Sequence, residues 1–250
     1  MILREVHDSV VLLRMEHGKV NPIDIELFSE LEQKLAEVEQ SSASAVVLTG
    51  TGKAFSAGVD LFKVLDGGHL YLTKFLPLLV KVLEKLFLFR KPVVAAVNGH
   101  AIAGGCLMVW SSDYRIAAKG DATIGIPELL VGVPFPPFAL EIARSSVSPQ
   151  HLHEIVYSGR CYPMEQALRY GMIDEIVDAD SLLKRAKEMA AQLGSTPSHA
   201  FQIAKRQIRQ PYLESARKFG SSDESILEEW SSPATQEVIR NYLKRTIGKK

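Results

Sequence analysis

Residues 93–110 read Val93-Val94-Ala95-Ala96-Val97-Asn98-Gly99-His100-Ala101-Ile102-Ala103-Gly104-Gly105-Cys106-Leu107-Met108-Val109-Trp110. The opening apolar run has the pattern of a strand buried on both faces. Asn98-Gly99 closes it with a turn, and a glycine pair then opens an apolar stretch of helical character. Neither Gly104 nor Gly105 carries a β-carbon, so backbone can approach a ligand or another element closely there. N–H groups at such a helix start lack intrahelical partners and can bind an anion or a developing oxyanion. The plainer reading is tight packing of helix on strand.

The same succession occurs upstream. Ala45–Gly50 (AVVLTG) is another buried-strand pattern closed by glycine. Lys53-Ala54-Phe55-Ser56-Ala57-Gly58-Val59-Asp60-Leu61 then leads into a possible short helix, with Asp60 as its cap. Taken alone, either segment is a capped loop. Taken together, two strand-to-helix turns on adjacent units can aim two N–H groups at one carbonyl oxygen.

Working outward, residues 2–15 alternate as one or two strands, and HGKVNPID (17–24) is a turn-rich loop. Ile25–Gln40 has Leu27, Phe28, Leu31, Leu35 and Val38 at helical spacing. A long helix is expected over Tyr71–Phe89, stopped by Lys91-Pro92. YRIAA (114–118) and ATIGIPE (122–128) read as strands. Helices are expected near 138–144, 150–157 and 163–170, and a last strand over 172–178. From Leu182 onward the chain is helical and charged, interrupted at 194–197 and around Gly220. Strands alternating with helices argue an α/β fold.

The 250 residues suit a single large core, with 46% hydrophobic and 23% charged residues. Lys plus Arg and Asp plus Glu are each 29, a net charge of zero. No nucleic-acid partner is therefore expected, since phosphate binding favours a basic excess. The two cysteines, Cys106 and Cys161, make no disulfide scaffold. Seven scattered histidines show no metal-ligand spacing, so no metal is expected. No apolar run is long enough for a membrane span. The N-terminus lacks signal or transit character, and GKK is not a peroxisomal address, so the expected location is cytoplasmic.

One acid stands in an apolar neighbourhood: Glu128, within Ile126-Pro127-Glu128-Leu129-Leu130-Val131-Gly132-Val133-Pro134. Burial would raise its pKa and suit it to general acid/base work. The alternative is a helix-start charge after Pro127. His100 reads as a solvated loop residue. Cys106 reads as a small buried hydrophobe rather than a nucleophile, and Met108 and Trp110 as core.

In order and spacing, HGKVN, FSAGVDL, NGHAIAGGC, DYRIAA, IPELLVG and GRCYPMEQALRYGMIDEIVD resemble the crotonase, or enoyl-CoA hydratase/isomerase, family across nearly the whole chain. The resemblance implies a spiral of ββα units over residues 1–195 and a C-terminal helical region over 196–250 that supports a trimer or a dimer of trimers. It implies acyl-CoA thioester substrates, with coenzyme A part of the substrate and no separate cofactor. It places the oxyanion-binding N–H groups at Val59 and Gly104, with Ala57, Asp60, Leu107 and Phe135 at the substrate. The stretch from Phe62 to Pro77 would line the acyl tunnel, loosened at Asp66-Gly67-Gly68. Lys19 and Lys63 are candidates for the coenzyme A phosphates.

The departures decide between activities. Hydratases of the resembled family carry two catalytic glutamates. Glu128 matches one of them, and Leu107 stands where the other would be. The run Val133-Pro134-Phe135-Pro136-Pro137-Phe138 is bulky and dry where hydratases are glycine-rich. Both features look like the mitochondrial-type Δ3,Δ2-enoyl-CoA isomerases, with Glu128 as lone proton shuttle. The alternatives are a hydratase or another crotonase-type reaction (decarboxylation, thioester hydrolysis), with Glu141 as a possible second carboxylate, or a non-catalytic acyl-CoA-binding protein.

Overall fold

A computed structural model of the chain describes residues 1–219 and 223–246. The expected helix break around Gly220 and the last four residues of the KRTIGKK tail lie outside the described residues.

In chain order the elements are β1 (Ile2–His7), β2 (Val10–Met15), α1 (Ile25–Gln40), β3 (Ala45–Thr49), β4 (Ala54–Ser56), α2 (Leu61–Phe87), β5 (Val93–Val97), β6 (His100–Ile102) and α3 (Gly104–Trp110). There follow β7 (Tyr114–Ala118), β8 (Thr123–Gly125), α4 (Glu128–Val131), α5 (Pro137–Ser146), α6 (Pro149–Ser158), β9 (Cys161–Pro163), α7 (Met164–Arg169) and β10 (Glu175–Val177). The described chain ends in α8 (Leu182–Gly194), α9 (Ser198–Lys218), α10 (Asp223–Ser231) and α11 (Pro233–Thr246).

The repeating unit is a long strand, a short strand and a helix: β3–β4–α2, β5–β6–α3, β7–β8–α4. Each long strand joins a six-stranded sheet of order β1-β2-β3-β5-β7-β10, and each short strand joins a four-stranded sheet of order β4-β6-β8-β9. Successive units pair in parallel in both sheets. The expected spiral of ββα units is thus observed. Because side chains alternate across a strand, Val93, Ala95 and Val97 face α1–α3, while Val94 and Ala96 face α8 through Leu182, Ala186, Met189 and Ala190. Burial on both faces explains why these strands read as continuous apolar runs.

The short helix expected after Asp60 and the helix expected from Tyr71 run together as α2, which starts at Leu61. Gly68, non-helical at φ 52° and ψ −142°, joins the two helical segments across a kink. A single left-handed residue is inexpensive for glycine, and Val64 and Leu72 on either side are fully buried.

Helix α9 is tied to the spiral by a buried charge cluster. Lys205 and Arg209 both pair with Asp113, at 2.7 and 3.1 Å, and Arg209 also donates to the carbonyls of Ser111 and Ser112 at 2.8 Å. Helices α10 and α11 fold back over α2 and α4. No helix among the described residues is long and apolar enough to cross a membrane.

Candidate active site

The 54–60 loop is shaped by the loop before α1. Asn21, fully buried, donates its side-chain amide to the carbonyls of Ala54 (3.3 Å) and Phe55 (3.1 Å), while Ser56 donates its hydroxyl to the Asn21 carbonyl at 2.7 Å. Ile23 N–H donates to the Gly58 carbonyl (2.8 Å), and Asp60 N–H donates to the Ile23 carbonyl (2.9 Å). These two bonds make a parallel bridge between Ile23 and Val59. A parallel bridge uses the groups flanking Val59 and leaves its own N–H pointing away from Ile23.

The second loop meets the first at close range. A β-carbon placed on Gly104 would fall 2.8 Å from Ile23 Cδ1 and 3.9 Å from Val59 Cγ2. One on Gly105 would fall 2.6 Å from the Ser56 carbonyl oxygen, so only glycine lets α3 start against β4. Ala103, just before, holds φ 52° and ψ −124°, a conformation rare for a side-chain-bearing residue. Its N–H is secured on the Gly125 carbonyl at 2.8 Å. Gly104 opens α3, so its N–H has no intrahelical acceptor. Two N–H groups on touching loops can therefore hold one oxyanion.

Val59 and Gly104 line a cavity that opens to solvent. Ala57, Leu107, Glu128 and Phe135 line it too, and Glu128 is the only carboxylate among the described lining residues. Glu128 opens α4, and its backbone carbonyl accepts from Val133 N–H at 3.0 Å. Its side chain is buried, and Oε2 has no hydrogen-bond partner. Burial pushes its pKa up to about 8, against a smaller lowering by its own backbone N–H. Such a group can take and return a proton near neutral pH.

Other expected residues are placed differently. Asp60 does not line the cavity. Its carboxylate caps α2, accepting from the N–H groups of Phe62 (3.0 Å) and Lys63 (3.2 Å). Glu141 is also outside, buried between α5 and α9, where it accepts from Arg144 (2.8 Å) and Ser215 (2.9 Å). It is no second carboxylate for this cavity. The wall contributed by α2 is Leu61 and Leu79, on either side of the expected 62–77 stretch, whose Val64, Leu72, Phe75 and Leu76 are buried in the core instead. Lys63 is committed to Asp24 (2.9 Å) and Glu26 (2.7 Å), which hold its pKa up, while Lys19 is exposed. Cys106 is fully buried with its thiol pKa pushed well up by burial, and Met108 and Trp110 are core, as expected. Among the described residues no group of three potential ligands could hold a metal ion.

Sequence reasoning missed Trp230 and Tyr242, which reach the cavity from α10 and α11. Trp230 is pinned by its indole N–H on the Pro134 carbonyl at 3.0 Å, fixing the proline run beneath it. A tryptophan in the acidic stretch EEWSS was the available signal, since a large aromatic in a charged helix generally has a burial partner.

The comparisons agree with this architecture. A sequence model described as Enoyl-CoA hydratase/isomerase matches residues 5–246. The chain is 25% identical to the rat protein Enoyl-CoA delta isomerase 1, mitochondrial, covering 100% of this chain and 88% of that one. It is 31% identical to Short-chain-enoyl-CoA hydratase of Clostridium acetobutylicum, covering 83% and 80%. Human mitochondrial delta3-delta2-enoyl-CoA isomerase superposes with a TM-score of 0.92 at 24% identity, covering 100% of this chain and 99% of that one, a likeness of fold. With the two-sheet spiral, the paired loops and the family match together, this chain belongs to the enoyl-CoA hydratase/isomerase family.

Proposed function

We propose that the chain moves the double bond of a 3-enoyl-CoA thioester to the 2-position, with Glu128 as the sole proton carrier. The observation that carries this reading is a buried carboxylate with one unpartnered oxygen in a largely apolar cavity that Val59 and Gly104 also line.

The thioester oxygen accepts from the N–H groups of Val59 and Gly104, which acidifies C2. Ionised Glu128 takes a proton from C2, and the electrons spread over the dienolate as charge builds on the held oxygen. The neutral carboxyl then returns the proton at C4. The double bond now lies between C2 and C3, and the carboxylate is regenerated. No redox partner or added cofactor is needed for balance. Adding water instead requires a water held between two carboxylates, and Leu107 occupies the position of the second. Val133, Phe135 and Pro136 leave little polar surface to hold water near the intermediate.

A hydratase is the second reading, favoured by the higher identity to the clostridial hydratase. A side-by-side panel separates the two. The expected result is rapid conversion of 3-enoyl-CoA, followed by ultraviolet absorbance of the conjugated product, with much slower hydration of crotonyl-CoA. Rapid hydration of crotonyl-CoA, or tight acyl-CoA binding with no turnover of any enoyl thioester, overturns the isomerase reading.

A further inference from the structure

Helix α11 packs against α4 on a defined face. A β-carbon on Gly132, the left-handed residue that ends α4, would fall 2.7 Å from Val238 Cγ1. Tyr242 lies one turn beyond Val238 on the same face, since residues four apart on a helix are neighbours. It lines the same cavity as Glu128. Among the described residues its hydroxyl has no hydrogen-bond partner. The cavity is thus lined by a carboxylate with one partnerless oxygen and by a tyrosine from a helix far away in sequence.

The surroundings of Glu128 offer few other donors. Among the described residues the titratable neighbours are Cys106 on α3, Cys161 on β9 and Tyr242 on α11. Burial raises all three, so each is neutral where Glu128 titrates. The charged side chains of the two helices packed on α4 point elsewhere. On α6, His153 and Glu154 are exposed, and His151 stacks on Tyr170 at 3.9 Å. On α11, Glu237, Arg240, Lys244 and Arg245 are exposed.

We propose that Tyr242 is a positioning residue for Glu128, its hydroxyl donating to the ionised carboxylate directly or through one water. No hydrogen bond joins the two groups in the structure. An ionised carboxylate in an apolar cavity is costly without a donor, and among the described lining residues Tyr242 is the one that carries a hydroxyl. Donation to the charged form lowers a carboxylate pKa, so the hydroxyl holds Glu128 closer to neutrality than burial alone would. It also gives the carboxylate a pivot as it moves between C2 and C4. The inference rests on the reading of Glu128 as the proton carrier.

The test follows the Glu128 carboxyl itself, so it does not depend on turnover. Protein labelled with 13C at glutamate carboxyls is titrated by NMR, with the Glu128 signal assigned by its loss in Glu128→Gln. Tyr242→Phe removes one oxygen and keeps the ring. The expected result is a midpoint raised by roughly one pH unit in Tyr242→Phe, with Cys161→Ala unchanged. An unchanged or lowered midpoint in Tyr242→Phe overturns the proposal. So does an equal rise in Cys161→Ala. If the midpoint rises as expected but no variant or wild-type protein turns over 3-enoyl-CoA, the isomerase reading fails and the Tyr242–Glu128 coupling stands.

Discussion

Gly58 and Ala103 meet where the two loops of the site touch: a β-carbon on Gly58 would fall 2.7 Å from the Ala103 β-carbon and 2.7 Å from the Ile102 carbonyl oxygen. Both residues have positive φ, 85° and 52°. Each immediately precedes one of the two proposed oxyanion donors. The spacing of Val59 and Gly104 therefore depends on a contact that only glycine permits on one side and a strained alanine supplies on the other.

Gly58→Ala pushes these loops apart and places a side chain at a left-handed φ. Expected are a stability loss of about 1–3 kcal/mol and a fall in kcat of about a hundredfold, as for loss of one oxyanion donor. Urea melts and turnover of 3-enoyl-CoA check both. Unchanged kcat contradicts the paired-donor geometry.

Glu128 gives two pH effects of definite sign. As a base it works ionised, so kcat/KM rises with pH and levels off above about 8. For stability, its folded pKa of about 8 lies above the ordinary value of 4.5, so the folded state holds a proton that the unfolded state has released between them. That contribution is fully present below the lower value and is lost as pH rises through the upper one. Glu128→Gln lacks this loss. Its stability relative to wild type should improve from about pH 5 to about pH 9 by on the order of 3–5 kcal/mol. Denaturant melts at the two pH values measure it, and a difference that stays constant contradicts the burial argument.

Trp230→Ala removes a buried cavity wall and the indole bond to Pro134. A loss of about 3–5 kcal/mol is expected, with preference shifting toward longer acyl chains as the cavity deepens. The ratio of kcat/KM for long and short 3-enoyl thioesters reads this. An unchanged ratio places Trp230 away from the acyl chain.

The site was legible where its chemistry is local. Glycine after a buried strand marks both donor loops, and an acid after Pro127 inside an apolar run marks Glu128. The short strands β4 and β6 were not legible. Three residues such as Ala54–Ser56 carry no period, and their pairing with His100–Ile102 is a tertiary fact. The Ile23–Val59 bridge joins segments separated by all of α1 and β3 and leaves no local pattern. Gly67-Gly68 did mark the junction of the two helical segments of α2, where Gly68 is non-helical. Trp230 and Tyr242 were hidden because their helices are amphipathic in the ordinary way, and only the return of α10 and α11 over α2 and α4 aims them at the cavity.

The central claim is that one carboxylate carries the proton. Its most direct test is turnover of 3-enoyl-CoA by Glu128→Gln, with saturated acyl-CoA affinity measured alongside to show an intact cavity. The account predicts a fall in kcat of about 10²–10⁴ with binding retained. Wild-type kcat in Glu128→Gln would contradict it.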